Sequence, residues 1–169
     1  MIGNKDIFDD YFYDDDDDED TQKDKYLTFR VKGEEYGVDI KNVVEVIGIL
    51  KITSVPDMPE FIKGVVNLRG KVIPVVDVRT RFKIEFKEYD DRTCVIVVNI
   101  NDSDIGLVVD IVSDVLDIPE DVVVPPPSIQ KNHSSRFIKG IGKLDEKVVI
   151  ILDVNKLLYD EELDQLSGD

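Results

Sequence analysis

The sequence lacks the residues on which most metal and disulfide chemistry depends. Its 169 residues include one cysteine, Cys94, and one histidine, His133. A single cysteine cannot form an internal disulfide and is typical of a protein from a reducing compartment. Zinc sites draw on clusters of His and Cys, which this sequence does not offer. We therefore expect no metal ion and no other cofactor, and we interpret Cys94 as a buried structural thiol.

Positive charge is also scarce. The chain carries 21 Lys and Arg against 37 Asp and Glu, a formal net charge of −16. Nucleic acids and anionic membrane surfaces bind clustered basic side chains, so neither is an expected partner. No run reaches the roughly 18 apolar residues of a transmembrane helix, and the first residues do not follow the basic-then-apolar pattern of a secretion signal. We expect a cytoplasmic protein that does not insert into the membrane.

The acidic residues are concentrated at the start of the chain. Residues 1–25 contain eleven acids and three lysines, and residues 14–20 are all Asp or Glu. Such a segment repels itself and buries little apolar surface. A calcium-binding loop would space its ligands and place a glycine at the turn, and this run does neither. We predict that residues 1–25 form a disordered acidic N-terminal segment.

The rest of the chain contains an internal repeat. Phe-Ile-Lys-Gly occurs at residues 61–64 and again at residues 137–140, 76 residues later. Upstream, residues 43–47 match residues 112–116 at a spacing of 69. A repeat of this length determines the architecture. We predict two copies of one module, residues 26–92 and 93–169, which stabilise each other because each alone has a marginal core.

Each copy is predicted to form five short strands separated by turns. In the first copy Arg69-Gly70 supplies a hairpin turn, because glycine tolerates a positive φ. Five short, curved strands close most easily into a small barrel, which removes exposed edges. Short helical patterns follow each hairpin, and apolar residues from Val154 onward repeat at helical spacing. The sequence predicts an all-β fold of two small five-stranded barrels related by a pseudo-two-fold axis, with a C-terminal helix.

No catalytic constellation stands out. Asp77 and Asp153 occupy equivalent strand ends, each before a helical stretch, which is typical of helix N-caps. We therefore predict that the protein is not an enzyme. Two alternatives remain: an acid-based hydrolase would need a cleft with two facing carboxylates, and a ligand-binding barrel pair would need a cavity of roughly 300 Å³ or more with convergent polar groups.

The two copies diverge at the hairpin turn. Residues 67–70 read Asn-Leu-Arg-Gly, whereas residues 143–146 read Lys-Leu-Asp-Glu, so the fold does not require Arg69. Glu45 lies in an apolar strand, and strict alternation places it on the face of Val43 and Ile47. A glutamate and an arginine so placed could form an ion pair.

Apolar residues from matching regions of the two copies suggest a contact surface between the barrels. Ile40, Val43, Val46 and Val112 would line a groove where the barrels meet. Exposed apolar grooves usually bind a partner. The alternative is that these residues form only the core between the barrels.

These stretches resemble the CheW family of bacterial chemotaxis coupling proteins. The resemblance is carried by residues 61–70 and 72–79, by residues 106–116 and by the triple proline at 125–127. It extends from Tyr26 to about Leu166.

The resemblance implies a stand-alone, non-enzymatic adaptor built of two SH3-like barrels. Such an adaptor bridges the cytoplasmic tips of chemoreceptors (methyl-accepting chemotaxis proteins) to the regulatory domain of the histidine kinase CheA, and its partners recruit it to membrane receptor arrays. The family's acid–arginine pair matches Glu45 and Arg69, followed by Gly70 at the turn, and the kinase contacts stay unassigned. Ser113 departs from an apolar position of the family's groove. The receptor-binding groove maps onto Leu27, Ile40, Val43, Val46 and Val112.

Overall fold

The computed structural model describes residues 22–126 and 137–158, which form eleven strands and two short α-helices. The helices are α1 (Val78–Arg81) and α2 (Val154–Leu158), and 3-10 turns occupy Ile40–Asn42 and Glu120–Val122. Most of the predicted acidic segment and the later part of the predicted C-terminal helix lie outside the described residues. The strands are β1 (Lys25–Val31), β2 (Glu34–Asp39), β3 (Val43–Gly48), β4 (Ile62–Leu68), β5 (Lys71–Asp77), β6 (Cys94–Ile100), β7 (Ser103–Val109), β8 (Ile111–Asp117), β9 (Val123–Val124), β10 (Ile138–Leu144) and β11 (Lys147–Leu152).

The strands form two sheets, which confirms the predicted all-β fold. The first sheet has six strands in the order β8-β1-β2-β11-β10-β9, and the second has five in the order β3-β6-β7-β5-β4. Pairing is antiparallel except where β11 meets β2 and β5 meets β7. The pairings correspond between the copies: β1 with β8 matches β6 with β3, and β2 with β11 matches β7 with β5. This correspondence is the pseudo-two-fold relation that the repeat predicts.

The sheets do not follow the predicted division of the chain at residue 92. Each sheet combines the first hairpin of one copy with the later strands of the other copy. The assignment of residues 26–92 to one barrel and residues 93–169 to the other is corrected by this exchange. Its physical basis is edge protection, because the first hairpin of each copy has both of its edges paired by strands of the other copy.

The apolar residues are divided among three clusters. One cluster draws only on the second sheet, including Val66, Ile73 and Val97, and a smaller one around Tyr26 and Ile151 lies within the first sheet. The largest contains residues of both sheets and forms the core between them, which we call the inter-barrel core. Strand β6 alternates between the inter-barrel core and the second sheet's own cluster, so it is buried on both faces, and Cys94 at its start is buried as expected.

Aspartates begin both short helices. Asp77 accepts a hydrogen bond from the backbone N–H of Thr80, and Asp153 accepts from the N–H groups of Asn155 and Lys156. These bonds satisfy amides that the first helical turn leaves without an intrahelical acceptor. Within the described ranges, the chain forms no helix long and apolar enough to cross a membrane.

Candidate functional site

The turn between β4 and β5 is fixed by residues that the second copy lacks. Arg69 and Gly70 have φ of 52° and 87°, the left-handed conformation of a tight hairpin turn. The side-chain carbonyl of Asn67 accepts a hydrogen bond of 2.8 Å from the N–H of Gly70. The equivalent of Asn67 in the second copy is Lys143, whose ammonium group cannot accept a hydrogen bond.

The structure brings Glu45 and Arg69 together. A guanidinium nitrogen of Arg69 donates to Glu45 Oε2; the side chain of Arg69 is 69% exposed and that of Glu45 24%. Strands β3 and β4 are opposite edges of the five-stranded second sheet. In a flat sheet these edges would lie about 19 Å apart, four spacings of ~4.8 Å. The ion pair therefore spans a sheet that curls on itself as a barrel does.

The pair is specific to one copy. The positions equivalent to Glu45 and Arg69 are Asp114 and Asp145, both acidic, so they cannot attract each other. Asp114 instead accepts a hydrogen bond from the N–H of Val115. The two barrels share a fold, but the second sheet alone can carry an acid–arginine pair at this place.

Strand β3 has a bulge at Val44. Its register against β6 passes from Val43 opposite Val98 to Glu45 opposite Val97, and Val44 is 42% exposed. A bulge turns the residues before and after it onto different faces than strict alternation predicts. Val43 and Val46 therefore both contact the inter-barrel core, and the expectation that Val43 shares a face with Glu45 and Ile47 is wrong.

The five predicted groove residues are not equally accessible. Val46 is half-buried and packs against the inter-barrel core. The other four are at most 7% exposed within that core, which favours the alternative that they only join the barrels: Leu27, Ile40, Val43 and Val112. These four do not line an open groove, and in this conformation they can support a binding surface only from beneath.

The accessible apolar surface at this place belongs to β3. Val44 was missed as a site residue because alternation gave no reason to separate it from its neighbours. The signal for it is the unbroken run of apolar residues around Glu45, which is longer than one buried face needs. Its equivalent, Ser113, lies at the matching register shift of β8 and is half-buried. We call Val44 and Val46, with the adjacent Glu45–Arg69 pair, the β3 surface.

A second ion pair anchors α1 to the corner between β7 and β8. Arg79 donates two hydrogen bonds, of 2.8 and 2.7 Å, to the carboxylate of Asp110. The same carboxylate accepts 2.9 Å from the N–H of Lys32, in the turn between β1 and β2. Burial acts to raise the pKa of Asp110, but the hydrogen bonds from Arg79 and Lys32 outweigh it and hold that pKa below its usual range. This cluster ties the two sheets together.

Neither alternative function has a recognisable centre within the barrels. Over residues 22–126 and 137–158, no three His, Cys, Asp or Glu side chains gather as metal ligands would. A cavity of about 590 Å³ lies outside the barrel interiors, beside the start of β4. Glu60 and Glu85 line it together with three cationic side chains, which is a mixed lining rather than an isolated carboxylate pair.

Comparison with known proteins gives a consistent result. Residues 25–162 match the family model of the CheW-like domain. The chain is 39% identical over 144 residues to the chemotaxis protein CheW of Klebsiella aerogenes, covering 85% of this chain and 87% of that protein. It is 32% identical over 138 residues to chemotaxis protein CheW of Bacillus subtilis, covering 82% of this chain and 88% of that protein.

A solved structure agrees with both. The crystal structure of the scaffolding protein TtCheW from Thermoanaerobacter tengcongensis has a TM-score of 0.75 and 38% sequence identity, and the match covers 82% of this chain and 94% of that chain. Sequence and fold therefore lead to the same assignment: the chain belongs to the CheW-like domain family.

Proposed function

We propose that this chain is an adaptor of chemotaxis signalling that couples the cytoplasmic tips of chemoreceptors to the histidine kinase CheA. The relatives above are named chemotaxis proteins, and TtCheW is described as a scaffolding protein. The chain acts by binding and catalyses no reaction. It works in the cytoplasm and reaches membrane receptor arrays through its partners.

The observation that carries the proposal is the β3 surface. Val44 and Val46 offer apolar area on an edge strand, and the Glu45–Arg69 pair lies beside them on the curled sheet. A receptor helix would dock with its apolar face on the valines and its polar flank along the ion pair, which is helix-in-groove recognition. The buried valines beneath keep this surface rigid, so that little ordering is needed on binding.

The kinase takes a second surface, so that receptor and kinase bind at the same time. An adaptor of this kind shifts the kinase between activity states by as much as its affinity differs between those states. No chemical step is required of the chain. Individual side chains are not assigned to the kinase contact.

The test is a pair of calorimetric titrations of the chain, one with a receptor cytoplasmic tip and one with the CheA regulatory domain. We expect saturable binding to both, and binding of one in the presence of the other. Val44→Asp should weaken receptor binding at least about tenfold, equivalent to roughly 1.4 kcal/mol, and leave kinase binding unchanged.

The repeat supplies a matched control. Ser113→Asp places the same charge at the equivalent bulge of β8 and should change receptor affinity much less. Equal losses from the two substitutions would show that the β3 surface is not the receptor site. Binding to neither partner would reject the adaptor function itself.

A further inference from the structure

The cavity beside β4 has a cationic and aromatic wall. Its volume of about 590 Å³ lies in the range of sites that hold a ligand or a peptide segment. Three cations oppose two carboxylates in its lining, on a chain whose formal net charge is −16. The charged lining residues are Lys63, Arg81, Lys83, Glu60 and Glu85, and the apolar ones are Pro59, Phe61, Ile84 and Phe86.

One aromatic side chain is left exposed in this wall. Phe86 is 50% exposed, with its ring 5.5 Å from that of Tyr89 and the Lys63 ammonium 4.8 Å from its centre. A half-exposed phenylalanine in a concave site favours an apolar side chain as its cover. The cavity therefore suits an occupant that carries both apolar and acidic groups.

The end of α2 reaches the same wall. The guanidinium of Arg81 lies between the rings of Phe61 and Phe137, at 4.1 and 4.5 Å from their centres. Its Nε donates a hydrogen bond of 3.0 Å to the backbone carbonyl of Leu157, in α2. The chain that follows α2 thus starts from a residue in contact with the cavity lining.

The eleven residues after α2 have the complementary composition. Residues 159–169 contain five acidic residues, no lysine or arginine, and two leucines, Leu163 and Leu166. Eleven residues span about 16 Å as a helix and up to roughly 36 Å when extended. Either length is of the order needed to cross a cavity of this size.

We propose that residues 159–169 dock in this cavity as an intramolecular strap. The leucines cover Phe86 and Ile84, and the carboxylates face Lys63 and Lys83. Because α2 packs its Val154 and Leu157 into the inter-barrel core, the strap joins the linker after α1 to the last element of the second copy. The N-terminal acidic segment is the weaker candidate, since it precedes β1 rather than an element in contact with the cavity.

Hydrogen–deuterium exchange of the full chain tests the strap. We expect deletion of residues 159–169 to speed amide exchange at residues 83–86 about tenfold, a loss of roughly 1.4 kcal/mol of local protection. Lys63→Glu combined with Lys83→Glu should speed exchange at residues 159–166 to a similar degree. Adding Glu161→Lys and Glu162→Lys to that variant should slow it again.

The repeat again offers the control, because Lys139 holds the position of Lys63 in the second Phe-Ile-Lys-Gly motif. Lys139→Glu should leave exchange at residues 159–166 unchanged, with folding of all variants checked by circular dichroism. The strap is rejected if exchange at residues 83–86 ignores the deletion, responds instead to loss of residues 1–20, or depends on protein concentration. No receptor or kinase is present, so failure here leaves the adaptor proposal standing.

Discussion

At the scale of single residues, burial decides what a substitution changes. Val43 is 4% exposed in the inter-barrel core, whereas its neighbour Val44 is half open to solvent. Val43→Asp would place an unpaired carboxylate in an apolar core, so we expect it to lower the free energy of unfolding by at least about 3 kcal/mol. Urea denaturation followed by circular dichroism measures this, with Val44→Asp as the neighbouring control. A Val43→Asp protein of wild-type stability would mean that the groove between the barrels is open after all.

The ion pair of the β3 surface should matter more for binding than for folding. Arg69 is largely exposed, and exposed pairs contribute about 0–1 kcal/mol to stability. Arg69→Ala should therefore shift the urea midpoint slightly and weaken receptor binding clearly. Asp145→Ala, at the equivalent turn position, should do neither. A stability loss above roughly 2 kcal/mol would show that Arg69 is needed to close the barrel.

The sequence predicted the partners of this pair better than its surroundings. Divergence between the copies singled out Arg69, and a lone acid in an apolar strand singled out Glu45, because both break a pattern that the fold otherwise keeps. The accessibility of Val43 and Ile40 could not be predicted in the same way. A groove and an inter-barrel core require the same apolar residues, and only the packing of the two sheets distinguishes them.

At the scale of elements, the Arg79–Asp110 cluster gives a pH dependence. The pKa of Asp110 is lowered in the folded chain, so its contribution is present above the unfolded value of about 3.9 and is lost as the pH falls below it. At pH 7, Asp110→Asn should cost about 2 kcal/mol, because it weakens two charge-assisted hydrogen bonds from Arg79. The difference from wild type should narrow as the pH falls from 5 to about 3.

Urea midpoints at several pH values measure that difference. Asp145→Asn, which removes a carboxylate from an exposed turn, should show no such narrowing. If both variants follow the wild type with one pH slope, the cluster does not hold the α1 corner in place.

Hairpins were predictable at this scale and bulges were not. The turn at Arg69-Gly70 has a residue that tolerates positive φ, and its flanking strands alternate, so both ends could be placed from sequence. The register shifts at Val44 and Ser113 have no such residue signal, because they depend on which strand of the other copy lies alongside.

At the scale of the whole molecule, the acidic N-terminal segment is a separate question. Deleting residues 1–20 should leave the melting temperature nearly unchanged, since a segment dominated by like charges buries little apolar surface. Differential scanning calorimetry measures it. A fall of more than about 8 °C, on the order of 1–2 kcal/mol, would show that the segment docks on the barrels.

The repeat predicted the pseudo-symmetry but not the exchange of strands between copies. A hairpin shows the same alternation whether it pairs within its own copy or with the other one, so contiguous and exchanged barrels are indistinguishable in the pattern. What separates them is edge protection, which depends on the parallel contacts of β2 with β11 and of β5 with β7.

The exchange makes folding of the two halves interdependent. Residues 1–92 alone would keep the hairpin β1–β2 without β8 and β11, and would leave β3 and β5 without β6 and β7. We therefore expect neither 1–92 nor 93–169 to show a cooperative unfolding transition as a monomer, and we expect an equimolar mixture to regain one. Light scattering with urea denaturation reports both size and cooperativity. A folded monomer of residues 1–92 would mean that its strands can close a barrel within one copy, and that the exchange follows from joining the copies rather than from any requirement of each.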